Sequence, residues 1–320
     1  MNPVLLKQLQ GQLQNAEGFP SLDAYYRFTS SFLTIAGRET SARIVSPSVP
    51  DYIFYQYGAP YGNHITRPLN TGLFIEDPGE FERRLKDFQD ILEILRSARG
   101  DKAEAVASRK LKVEELDRVV YTIQQAAGCV GDSLSNANQS RKRIGMLFEE
   151  LVARLIRELG VSCEPRTVQI PLPGHPQRKM SYQLYLVLSR GRAIVAKEQR
   201  LIAENEIVGS VKTTSKDRID KIFLDKFLLS RLLGRDVRVV AIFLHDVQRA
   251  VRKKGKQKGE DLFGVNSTFK SNHFLGYTLA LNELDGVYYV DPRPVMTKDA
   301  ELARQIGCFS EFMARDLWTL

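Results

Sequence analysis

Between residues 141 and 244 the chain reads as a helix, three strands, a helix and a strand, and this order constrains the fold more than any other feature. Residues 141–159 (RKRIGMLFEELVARLIREL) place apolar side chains at helical spacing and stop at Gly160, a residue suited to closing a helix. Residues 166–171 (RTVQIP), 181–188 (SYQLYLVL) and 206–213 (EIVGSVKT) read as strands, with Gly191 in a turn between the second of these and 192–196. A helix is expected from about Ser215 to Leu233, closed by Gly234, and the apolar run 237–244 (VRVVAIFL) suits a buried central strand. Such a pattern argues for an α/β layer with helices packed on a mixed sheet. The tail, with 286–290 (GVYYV) and a helix near 298–316, is expected to add to the sheet edge and the back face.

The first 140 residues look mainly helical. Val4, Leu5, Leu9 and Leu13 fall at helical spacing, and Ser21 is placed to cap a second helix. A strong helix is expected from Asp77 to about Ala98 on Phe81, Leu85, Phe88, Leu92 and Leu95, and another over 113–127. Residues 45–72, rich in Pro, Gly, Asn and Tyr, read as a long loop or short strands. The small, polar stretch 128–138 is read as a linker, which divides the chain into a helical region over 1–140 and a second domain over 141–320.

Charge follows the same division. Residues 1–140 carry a net −2 and residues 141–320 a net +10. A basic second domain suits a phosphate backbone, and it equally suits a basic enzyme with no nucleic-acid partner. No apolar run approaches the roughly 18 residues of a membrane helix, and the amphipathic start MNPVLLKQLQGQLQ does not read as a signal peptide. Three widely spaced cysteines (Cys129, Cys163, Cys308) lack metal-ligand spacing and fit a reducing cytoplasm.

The chemistry concentrates in 206–225, EIVGSVKTTSKDRIDKIFLD. Strand alternation puts Glu206, Val208, Ser210 and Lys212 on one face. A lysine at a strand end is unusual unless it has reached solvent or has a function. Lys216, Asp217 and Arg218 follow in the expected first turns of the helix. Arg and Lys can contact guanine and Asp can accept from cytosine, so the triplet can read G·C pairs, although most such triplets are solvated helix surface.

The string Ser210-Val-Lys212-Thr-Thr-Ser-Lys216-Asp217-Arg218 resembles type II restriction endonucleases of the PD-(D/E)XK superfamily, in particular the group cutting CCGG or CCNGG-type sites. In that group Ser-x-Lys replaces acid-x-Lys, and the following helix supplies the missing carboxylate. The upstream helix with Gly145, Phe148, Glu149 and Glu150, the strand 239–249 and the phrase from Leu284 to Asp291 add to the resemblance, which covers about 140–295. It implies a restriction-endonuclease-like core, a mixed central sheet flanked by helices, with a mainly helical N-terminal region for dimerisation or DNA contact. It implies Mg²⁺-dependent cleavage of double-stranded DNA at a short G·C-rich palindrome by a homodimer or tetramer. Lys212 would act on the scissile phosphate or the attacking water, with Ser210 beside it. Asp225 would be the relocated metal carboxylate, Glu149 (less so Glu150) the helix acid contacting the metal, and Lys216, Asp217 and Arg218 the base readers. Lys216 stands where the family prefers Arg, and it lacks the planar fork.

The family's strand acid is missing. Its expected slot in 181–189 holds Tyr185, and a phenol is a poor ligand for Mg²⁺. Three readings stand: an inactive variant, substitution by another acid such as Glu204 or Glu206, or a different strand register. A sequence-specific endonuclease therefore competes with a structure-selective repair or recombination nuclease and with a DNA-binding protein that has lost catalysis. The run 249–258, with Arg252, Lys253 and Lys254, can grip phosphates or form a solvated loop. The tyrosine-rich 52–61 can stack on a flipped base or simply pack.

Overall fold

The computed structural model describes residues 4–15, 17–98, 112–189, 201–216, 218–250 and 263–319. In chain order the elements begin with α1 (Val4–Gln14), α2 (Leu22–Glu39), β1 (Thr40–Val45), β2 (Tyr52–Tyr57), β3 (Leu69–Asn70), α3 (Pro78–Ser97), α4 (Glu114–Asp132) and α5 (Ala137–Glu158). There follow β4 (Ser162–Leu172), β5 (His175–Ser189), β6 (Glu206–Thr214), α6 (Ile219–Leu233), β7 (Arg238–His245), β8 (Val247–Arg249) and β9 (Val265–Ser267). The last are α7 (Ser271–Ala280), β10 (Gly286–Asp291), α8 (Pro294–Lys298), β11 (Ile306–Cys308) and α9 (Phe309–Ala314). Two units arise: Met1–Asp90 with Glu114–Phe148 and Asp246–Thr268, and Ile91–Val113 with Glu149–His245 and Phe269–Leu320.

In the first unit Ser21 caps α2, accepting the Ala24 N–H at 3.3 Å, and Asp77 accepts the Glu80 N–H at the start of α3. Short strands cross 40–70 as a three-stranded sheet β1-β2-β3. The tyrosines of β2 belong to its interior: Tyr52, Tyr55 and Tyr57 are buried and pack, while Tyr61, beyond the strand, is partly exposed. Tyr52 and Phe54 form a small core with Val247 of β8 and Val265 of β9.

The stretch 128–138 departs from expectation, because α4 runs through Asp132 and α5 begins at Ala137. Its small residues are contact positions. A Cβ on Gly128 would come within 2.5 Å of the Arg67 guanidinium, which pairs with Asp132, and one on Gly131 would meet Ser140 Oγ at 2.6 Å.

The second unit is built on a six-stranded sheet in the order β11-β10-β7-β6-β5-β4. β4, β5 and β6 are antiparallel neighbours, while β6, β7, β10 and β11 run parallel. Every residue of β7 after Arg238 is buried, as a central parallel strand covered on both faces requires. One face carries Val208, Ala241, Phe243 and Tyr289 into a core with Ile222, Phe223 and Leu229 of α6 and Phe274 of α7. The Phe243 and Tyr289 rings stack at 5.1 Å. Gly234 closes α6 in the left-handed region at φ 68°.

Two expectations change. In place of one helix near 298–316 there are a 3-10 turn over Leu302–Arg304, the edge strand β11 and the short α9, because Ile306 is drawn into the sheet beside Val287. The strands at 166–171 and 181–188 are parts of one longer hairpin. Gly191 and residues 192–196 lie outside the described residues.

Candidate active site where strands β5 and β6 part

The site is built by a ladder that stops. β5 and β6 pair from Ser189↔Glu206 to Leu186↔Gly209. Gly209 permits that last pairing, since a Cβ there would strike the Leu186 side chain. Beyond it, β6 keeps its other neighbour, with Ser210 opposite Ala241 and Lys212 opposite Phe243 of β7. The register between β4 and β5 shifts at the same level: Glu164 pairs with Val187 and Arg166 with Leu184. Tyr185 and Leu186 thus stand opposite the single residue Pro165, a bulge. Bulges bend a strand and re-aim side chains, often beside active sites.

Lys212 and Tyr185 meet across this opening. The Lys212 Nζ lies 5.2 Å from the Tyr185 ring centroid, within cation–π range. The same ammonium donates to Glu149 Oε1 at 2.6 Å. Glu149 is on α5, and its neighbour Glu150 instead accepts from Arg154 at 2.6 Å, which separates the two acids. The Tyr185 phenol, on a side chain about half exposed, reaches Gln183 Oε1 at 3.4 Å. The structure therefore brings together Lys212, Glu149 and Tyr185, with Ser210 one step back on the Lys212 face.

Asp225 accepts from Lys221 at 2.8 Å, one turn back along α6. Among the described residues it shares no hydrogen bond or ion pair with Lys212 or Glu149. It acts on Tyr182, whose phenol burial and the Asp225 charge push up from its ordinary value.

The other acids weighed for the vacant role do not supply it. Glu206 is buried and accepts from Arg166 Nη1 and Nη2 at 2.6 and 2.8 Å and from the Ala203 N–H at 2.8 Å. Burial raises its carboxyl, but the Arg166 and Ala203 hydrogen bonds outweigh that and hold it below the usual carboxylate range. Arg166, which joins β4 to β6 across β5, had no sequence signal beyond its charge. Glu204 is exposed in the turn before β6.

Lys216 and Arg218 stand ahead of α6 and not in its first turns, since the helix starts only at Ile219. Thr214 accepts the Lys216 N–H, and Ser215 O accepts the N–H groups of Arg218 and Ile219. This turn leads into the helix. Lys216 and Arg218 are exposed beside the end of β6. Asp217, Arg252, Lys253 and Lys254 lie outside the described residues.

A divalent metal needs hard, charged oxygens. Among the described residues no three His, Cys, Asp or Glu side chains come together to hold one. At Lys212 there is one carboxylate, already held by the ammonium, and a phenol. These residues do not make a Mg²⁺ site as they stand.

No protein-family model matches the sequence, and no curated protein matches it. The fold does have a likeness. The crystal structure of the Type IIP restriction endonuclease Kpn2I superposes with a TM-score of 0.68 at 16% identity, covering 98% of this chain and 96% of that one. The restriction endonuclease PspGI–substrate DNA complex aligns more loosely, with a TM-score of 0.38 at 10% identity over 73% of this chain and 88% of that one. The chain thus has the fold of a type II restriction endonuclease, and the likeness to Kpn2I extends through the first 140 residues, where the sequence resemblance did not reach. Among the described residues no helix is long and apolar enough to cross a membrane.

Proposed function

We propose that the chain is a type II restriction endonuclease, recognising a short G·C-rich palindrome of the CCGG or CCNGG kind in double-stranded DNA, with a compromised metal site. The observation that supports it is the convergence of Lys212, Glu149 and Tyr185 where β5 and β6 part, on a fold shared end to end with Kpn2I. Lys212 meets the phosphate and offsets its developing charge. Glu149 holds the ammonium in place. Lys216 and Arg218, with Asp217 between them, read base edges from the loop just beyond, Arg218 by its bidentate fork and Lys216 as a point donor. These exposed readers favour a sequence-specific enzyme over a structure-selective one. A palindromic target calls for a two-fold assembly, a homodimer or a tetramer.

Tyr185 favours a second reading, a protein that binds its site without cutting. Its ring occupies the slot of the expected strand acid, so cleavage in Mg²⁺ is expected to be weak. Incubation with plasmid DNA and Mg²⁺, beside binding to duplexes with and without a central CCGG or CCNGG, tests both. Discrete fragments support the endonuclease, and site-selective binding with intact plasmid supports the second reading. Binding indifferent to sequence overturns both.

A further inference from the structure

The β4–β5 hairpin extends well past the point where β6 leaves it. β4 is the outer strand of the sheet, and β5 pairs with β6 only over Leu186–Ser189. From Thr167 to Gln183 the hairpin is therefore a two-stranded ribbon, closed by a turn with Gly174 at φ 73°. Its two faces differ. Val168, Ile170, Tyr182 and Leu184 pack against the core under α6. The opposite face carries the cross-strand pairs Thr167/Gln183, Gln169/Ser181 and Pro171/Lys179. Residues 173–179, around the tip, are all exposed.

A ribbon with both edges open invites pairing with other strands. Pro171, Pro173, Pro176 and Lys179 guard against that, but edge protection does not account for the outer face. That face is made of hydroxyls and amides, and the hairpin from Thr167 to Ser189 carries Arg178 and Lys179 and no Asp or Glu. Arg178 and Lys179 form no ion pair or hydrogen bond among the described residues. An apolar partner finds nothing there to bury. A polyanion with hydrogen-bonding edges finds both donors and charge. Lys179, Ser181, Gln183 and Tyr185 alternate along β5 and share that face, and the Tyr185 ring at the end of the strip meets the Lys212 ammonium. From Tyr185 to Lys179 it spans about 20 Å, or about 6 base pairs of duplex.

We infer that the outer face of the β4–β5 ribbon and its exposed tip form a second DNA contact, lying along the duplex that flanks the bases at Lys212, with Lys179 and the tip residue Arg178 on phosphates and Gln169, Ser181 and Gln183 toward the groove. A two-stranded ribbon fits a major groove. The inference rests on the DNA-binding function proposed above, and it concerns bases outside the central site.

The test is the salt dependence of binding to a duplex of about 30 base pairs with a central CCGG, compared with one of about 10 base pairs. Arg178→Ala/Lys179→Ala is expected to make the log–log salt slope on the long duplex shallower by about 2. It is also expected to abolish the preference for long over short duplex, with the thermal unfolding profile unchanged. Lys298→Ala/Arg304→Ala, removing equal charge at the far edge of the sheet, should leave the slope in place. Equal slopes for wild type and the ribbon variant, or an equal loss in the control pair, overturn the ribbon contact while leaving the proposed function standing. A wild-type protein that binds neither duplex overturns both.

Discussion

Replacing Glu206 by Gln tests how the site is held. Glu206 and Arg166 have side chains only 1% and 7% exposed, joined by two short hydrogen bonds across β5. Removing the carboxylate charge leaves a buried guanidinium with Glu164, at 3.1 Å, as its remaining acid. Breaking a buried pair from one side costs about 3–5 kcal/mol, and the surviving Glu164 contact places the expected loss near about 3 kcal/mol. For a unit of this size that is a fall in melting temperature of about 6–12 °C. The pH dependence carries a sign. The Glu206 carboxyl is held low in the folded state, so its stabilisation is fully present above the unfolded value of about 4.3 and fades as pH falls through the lower folded value. Urea unfolding of wild type and Glu206→Gln from neutral to acidic pH should show a constant gap down to about pH 5 that narrows below about pH 4. A neutral-pH gap under about 1 kcal/mol, the range of an exposed pair, or a gap that persists unchanged into acid, refutes the reasoning.

Tyr185→Asp exchanges a half-exposed cation–π contact for an exposed ion pair, so stability should change by no more than about 1 kcal/mol. Plasmid cleavage in Mg²⁺ should rise, and a folded, DNA-binding variant that gains none counts against the slot assignment. Arg218→Ala should weaken binding to the cognate duplex by about 1–3 kcal/mol while leaving binding to a scrambled duplex nearly unchanged, as read in a competition titration. Gly209→Ala forces a Cβ into the Leu186 side chain and should cost about 1–3 kcal/mol; a melting temperature equal to wild type would show that the strands part for another reason.

The parts of the site legible in the sequence are those with a local pattern. Alternation along EIVGSVKT puts Lys212 at a strand end, and the amphipathic run 141–159 puts Glu149 on a helix before it. The Tyr185 slot is implied by the family resemblance alone, and the structure sets its ring beside Lys212. What stayed hidden depends on close approach or on distant partners. Gly128 and Gly131 look like linker residues until Arg67 and Ser140 are found against them. The start of α6 at Ile219, which leaves Lys216 and Arg218 ahead of the helix, was hidden as well; there the Thr214 hydroxyl accepts the Lys216 N–H and the Ser215 carbonyl the Arg218 N–H. The length of the β4–β5 hairpin was concealed because apolar alternation marks only its root, where one face meets the core. Glu206 offered itself as a spare acid by face and spacing, and only Arg166, 40 residues earlier, shows that it is committed.

The excursion of Asp246–Thr268 back into the first unit has a consequence for synthesis. Tyr52 and Phe54 wait for Val247 and Val265 to complete their cluster, so that cluster cannot close until most of the polypeptide has left the ribosome. An amino-terminal fragment ending near residue 148 emerges with those aromatic side chains uncovered, and is a candidate for chaperone capture.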